Sequence, residues 1–158
     1  MIDAIVVTEF GATPGLLKSE INRLTKEALI AAAENHYREY MPMHFTMAAY
    51  SRYGYKPRSA KYLAKKNKIY GHVLPLVYSG TSKNLALSGE PKISATRHRA
   101  TLIQRARGLN RRRPGSQIHM NREISAVTQS EVNTASRVAG REYLRLAREL
   151  SVSKTTRV

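Results

Sequence analysis

Residues 128–150 read TQSEVNTASRVAGREYLRLAREL, and the reading of this stretch decides the fold class. Thr128 and Glu131 have capping-box spacing, in which a threonine side chain and a glutamate three residues later satisfy each other's free backbone amides. Val132, Ala135, Ala139, Tyr143, Leu146 and Leu150 then recur at helical intervals and make one apolar stripe on an otherwise charged helix. A helix of this kind must bury one side against a sheet or another helix. Gly140 inside it costs about 1 kcal/mol relative to alanine, which points either to a close approach or to simple tolerance. Ser151 to Val158 is expected to be a flexible, frayed tail.

Working toward the amino end, a second long helix is legible. Thr13-Pro14 has the form of a helix start, because proline at the first helical position gives up a donor that would have no partner there. Leu17, Ile21, Leu24, Ala28 and Ala31 follow at spacings of four and three, predicting a helix to about Tyr40, which Pro42 ends or bends. Ahead of it, Ala4-Ile5-Val6-Val7-Thr8 reads as a short strand with Gly11 in its exit turn. Between the long helices the elements are short. A helix is expected from Ser59 to Asn67, an edge or irregular strand at His72 to Tyr78 limited by Pro75, and a one- or two-turn helix from Ser79-Gly80-Thr81 through Leu87, stopped by Gly89. Pro91 to Ala106 reads as a hairpin with Ile93, Ala95 and Arg97 alternating outward, Ala100, Leu102 and Gln104 returning, and His98-Arg99 near its tip. Ile118-His119-Met120 is expected to rejoin the sheet. The predicted architecture is α+β: a small, mostly antiparallel sheet with long N- and C-terminal helices packed on it and extended basic loops. Its predicted extent is a single domain over residues 1–150, with 151–158 as the tail.

The charge is strongly uneven. The chain has 158 residues, 27 Lys and Arg against 11 Asp and Glu, and a formal charge of +16. Residues 1–50 hold 4 basic and 6 acidic side chains, residues 51–113 hold 16 basic groups and only Glu90 as an acid, and residues 114–158 hold 7 and 4. A field of that size attracts phosphates or an acidic protein surface, and at physiological salt it acts over only about 8 Å, by close docking. The candidate contacts are Lys61, Lys65, Lys66, Lys68, Arg105, Arg107, Arg111, Arg112 and Arg113. Arg107 to Gly115 reads as a polar, mobile loop, since adjacent arginines repel and its Gly and Pro break regular structure. In Arg52-Tyr53-Gly54-Tyr55-Lys56-Pro57-Arg58-Ser59, the tyrosines either pin the loop to the core or stack on bases, the first being the commoner use.

Catalysis finds little support. Two-metal hydrolysis needs clustered carboxylates, whereas Asp3 is the only aspartate and Glu90 the only acid in the basic segment. His36, His44, His72, His98 and His119 form no pair at zinc spacing. No phosphate loop ends in Gly-Lys-Ser or Gly-Lys-Thr, no Gly-x-Ser-x-Gly elbow occurs, and the lack of Cys excludes thiol chemistry and a disulfide framework. No enzyme activity, cofactor or metal is expected. The apolar runs are too short for a membrane span, and Met1-Ile2-Asp3-Ala4 does not open like a signal peptide.

The run from His44 through Arg52-Tyr53-Gly54-Tyr55 and Pro57-Arg58-Ser59, then Lys65-Lys66, Gly71-His72, Pro75-Leu76-Val77 and Ser79-Gly80, resembles small virion proteins of tailed bacteriophages. Arg122-Glu123-Ile124 and the helix start at Thr128 to Glu131 are similar to the end of the same group, the tail-completion or neck proteins that join head to tail. The resemblance covers about two thirds of the chain. It implies a small α+β fold, a homo-oligomeric ring in the neck region of the virion, assembly in the host cytoplasm and no enzymatic activity. The implied partners are further copies of the chain, neighbouring portal or adaptor and tail proteins, with packaged DNA as a further candidate and no membrane. The arginine-rich stretch from Arg105 to Arg113 has no counterpart in that pattern. The alternative is an RNA-binding or ribosome-associated basic protein holding folded RNA by phosphate contact and stacking.

Overall fold

In a computed structural model the structure describes residues 16–103, 109 and 117–155. It is mostly helical, with a small two-stranded antiparallel sheet and long helices toward both ends of the chain. The expected strand at Ala4 to Thr8 and the Thr13-Pro14 helix start lie outside the described residues. In chain order the elements are α1 (Lys18–Tyr40), a 3-10 turn (Met41–Phe45), α2 (Ala49–Tyr53), α3 (Ala60–Tyr70), α4 (Thr81–Ser88), β1 (Lys92–Ala95), β2 (Ala100–Ile103), α5 (Met120–Ile124) and α6 (Gln129–Thr155). Two compact units emerge, one made of residues 37–92, 103, 109 and 117–128, the other of 16–36, 93–102 and 129–155.

In the second unit α1 and α6 run antiparallel. Leu24 and Ala28 share a buried cluster with Tyr143 and Ala147, while Leu29, Ala32 and Ala33 share another with Ala135 and Ala139. Partners advance along α1 as they retreat along α6. Ala32, Ala33, Ala135 and Ala139, the four alanines of this cluster on the two helices, keep the contact layer thin. The hairpin adds Ala100, with Ile93 and Ala95, to that same cluster. Its turn closes with the Thr96 amide donating to the Arg99 carbonyl at 2.8 Å, leaving Arg97, His98 and Arg99 exposed at the tip.

The buried side of α1 is rotated from the expected stripe. Leu17 is 67% exposed, while Leu24, Thr25, Ala28, Leu29, Ala32 and Ala33 are buried. The Thr25 hydroxyl donates to the Ile21 carbonyl at 2.8 Å, so a polar side chain enters the core without losing a bond. On α6, Ala135, Ala139 and Tyr143 are buried as the periodicity predicts, Ala147 joins them, and the Glu131 side chain is fully enclosed. A Cβ added at Gly140 meets nothing within 4 Å, so tolerance and not close approach accounts for this glycine. α6 continues as helix to Thr155, past the Leu150 at which its apolar stripe ends.

The first unit has its own core: Met41, Phe45, Ala49, Tyr55, Leu76, Val77, Ala86, Leu109 and Ile124. α4 is held beside the end of α1 by the Tyr37 hydroxyl, which lies 2.5 Å from the Ala86 carbonyl and 2.8 Å from that of Gly89. Two strand expectations fail here. His72 to Tyr78 forms turns, because Pro75 has no amide for a ladder and the Val77 amide instead donates to the Pro75 carbonyl at 2.7 Å. That turn sets Leu76 at a φ of 54°, a strained conformation for a bulky residue, and Leu76 is buried in the core. Met120, expected in the sheet, opens α5. Leu109, read as part of a polar mobile loop, is buried.

Candidate basic surface and its buried anchor

Within the first unit the described segments 37–92 and 117–128 contain 11 Lys and Arg against three glutamates. Two of those three are engaged locally. Arg38 Nε stands 3.3 Å from Glu39 on the surface. Arg58 meets Glu123 in a two-pronged pair, with Nη1 to Oε1 at 2.8 Å and Nη2 to Oε2 at 2.5 Å.

The Arg58–Glu123 pair is nearly enclosed, with side chains 8% and 10% exposed. Arg58 Nη1 also donates to the Lys56 carbonyl at 2.6 Å, and the Lys56 amide donates to Glu123 Oε1 at 3.3 Å. The loop after α2 is thereby tied to α5 through one carboxylate. The carboxylate and neighbouring phenols raise the guanidinium pKa against the opposing pull of burial, which is the largest single influence. Arg58 is a structural cation committed to Glu123.

Beside this pair, His44 stacks on Tyr53 with ring centroids 3.9 Å apart and planes 8° from parallel. Its Nδ1 lies 2.5 Å from the Tyr55 hydroxyl, and Tyr50 meets the Tyr55 ring edge-on at 6.3 Å. Gly54, between Tyr53 and Tyr55, has a φ of 64°, a left-handed turn that glycine adopts without strain and that ends α2. His44 and Tyr55 are buried, so these aromatics pin the loop to the core. The knot was not legible as a site, because Glu123, which closes it on Arg58, is 65 positions away in sequence.

The four lysines of α3 separate into two kinds. Ser59 caps the helix by accepting from the Tyr62 amide at 3.3 Å, and Gly71, at a φ of 69°, closes it. Lys61, Lys65 and Lys68 are exposed, and at 100° per residue they fall within an arc of about 60°. Among the described residues no carboxylate lies within ion-pair distance of any of them. Lys66, a candidate contact from sequence, is only 4% exposed. Its ammonium donates to the Leu74 carbonyl and lies 5.8 Å from the centre of the Tyr62 ring. Burial, followed by repulsion from Arg58, lowers its pKa. Lys66 therefore leaves the exposed set and belongs to the packing of α3 onto the 72–78 turn. Arg105, Arg107, Arg111, Arg112 and Arg113 lie outside the described residues.

Among the described residues no group of three His, Asp or Glu side chains is placed to hold a metal ion, and no helix is long and apolar enough to cross a membrane. No family model, no curated protein and no solved structure matches the chain.

Proposed function

We propose that this chain is a structural subunit of a tailed-phage neck, a tail-completion or head–tail connecting protein that assembles as a homo-oligomeric ring and performs no bond-breaking. One observation carries the reading. Part of the set on which the resemblance rests, at positions 44, 55, 58, 76–77 and 123–124, meets in one knot and core; Lys65-Lys66, Gly71-His72 and the Thr128 to Glu131 helix start lie elsewhere. His44 binds Tyr55, Arg58 clasps Glu123, Leu76 and Val77 are buried with Ile124, and Gly80 opens α4. Residues that hold one another in place in this way fit a scaffold role.

The finer architecture of the reading is a sheet packed by both long helices, with loops and chain ends that complete their packing between copies in a closed ring. In that ring the basic face of the first unit points toward packaged DNA or an acidic neighbouring ring, with portal or adaptor protein on one side and tail protein on the other. The RNA-binding alternative draws on tyrosines as stacking platforms, and Tyr53 and Tyr55 are already committed to His44, which favours the neck reading.

The test is assembly. Purified full-length chain, sized by mass photometry and imaged in intact particles, is expected to give stoichiometric rings at the head–tail axis. A stable monomer absent from purified particles would refute the proposal.

A further inference from the structure

We infer that the Lys61, Lys65 and Lys68 face of α3 is a phosphate-tracking surface for duplex DNA, reading backbone charge alone. The inference rests on the neck reading only for its biological setting; its physical basis is the α3 surface itself.

Three features select the ligand. From Lys61 to Lys68 the stripe covers seven residue steps, about 10 Å along the helix axis at 1.5 Å per residue. A single strand of duplex presents one phosphate per about 3.4 Å of axis, so the three ammonium groups cover about three consecutive phosphates. Second, among the described residues the three positions of the stripe offer no group that reads or stacks on bases, and the nearest α3 aromatic, Tyr62, is half-buried beside Lys66. Tyr70, on the same helix, lies on the side opposite Lys61, about 180° away, where it packs against Tyr78 with centroids 4.6 Å apart. Tyr53 and Tyr55 are held in the buried knot. Third, the stripe lacks what anchors a protein partner. Interface cores are depleted in Lys and depend on aromatic or Arg anchors in desolvated pockets, whereas these three positions are exposed and carry point charges only. A regular, sequence-blind polyphosphate fits; a splayed single strand or an acidic protein fits less well.

The experiment is a fluorescence-anisotropy titration of full-length protein with a random-sequence 30-base-pair duplex between 50 and 200 mM salt. It compares the wild type with the triple variants Lys61→Ala/Lys65→Ala/Lys68→Ala and Lys61→Arg/Lys65→Arg/Lys68→Arg, each checked for folding by circular dichroism. Three lost phosphate contacts should lower the log–log salt slope of the alanine variant by about 2.7, making its affinity about 40-fold less sensitive over that range. The arginine variant should keep the wild-type slope. An unchanged slope in a folded alanine variant would overturn the inference, as would tighter wild-type binding to single-stranded RNA or to polyglutamate than to duplex. Ring formation is measured separately, so a chain that shows the slope change but remains monomeric would keep this surface while losing the neck assignment, and a ring without the slope change would do the reverse.

Discussion

Arg58 and Glu123, 65 positions apart, form a two-pronged ion pair at 2.8 and 2.5 Å that joins the loop after α2 to α5. Removing one member of a nearly enclosed pair leaves the other charge without compensation, at a cost of about 3–5 kcal/mol. Arg58→Ala should lose that much in urea denaturation, while Arg58→Met combined with Glu123→Leu should recover most of it, since a similar-sized apolar pair often replaces a buried ion pair at little cost. A loss below about 1 kcal/mol for the single change would mean that the pair is solvated.

The His44–Tyr55 contact gives a smaller and separable effect. Tyr55→Phe keeps the ring and deletes only the hydroxyl, leaving a buried His44 nitrogen without its partner at 2.5 Å. The expected cost is about 1–3 kcal/mol. A loss near zero in urea denaturation would show that the hydroxyl contributes nothing to His44.

Gly140 offers a stabilising change. With open space around an added Cβ, Gly140→Ala should gain about 1 kcal/mol from helix propensity and raise the unfolding temperature by about 2–4 °C. A fall in that temperature would place an unseen neighbour against α6.

Paired deletions on α1 distinguish the rotated stripe from the one expected. Leu29 is fully buried, and Leu29→Ala should cost about 2–5 kcal/mol. Leu17→Ala, at a position 67% exposed, should be close to neutral. Equal losses would restore the original stripe.

His36 gives the pH dependence. Burial lowers its pKa, the carboxylate of Glu131 opposing with a smaller upward pull. The unfolded chain then binds a proton more readily than the folded one, so stability is full above pH about 6.5 and falls as the pH drops through the window below it. Thermal melts of wild type and His36→Gln between pH 7.5 and 5 should show a steeper decline for the wild type. Parallel curves would show that His36 titrates alike in both states.

Helices were the legible part of this chain, because an apolar period of 3.6 and capping residues act over a few positions. α1 ends at Tyr40, α3 follows Ser59, and α6 follows Thr128, as local signals indicate. The rotation of the α1 stripe was not legible, because alanine at 28, 31, 32 and 33 gives little hydrophobic contrast and the packing partner decides which methyls are covered. The strands expected at 72–78 and 118–120 failed for a related reason. Short apolar runs bury equally well as turns or helix ends once another surface covers them, and Pro75 removes the amide that a strand would need. Of the candidate site, charge density was legible and its sorting was not. Lys65 and Lys66 are neighbours in sequence, yet a 100° rotation puts one in water and the other beneath Tyr62 and against the Leu74 carbonyl.

That sorting makes Lys66 a natural timer. Amine-reactive reagents should modify Lys61, Lys65 and Lys68 at the rate of ordinary surface lysines, whereas Lys66 should react only when α3 lifts from the 72–78 turn. Peptide mass spectrometry of its slow acylation would read the opening rate of this corner directly, with three adjacent side chains as the internal clock.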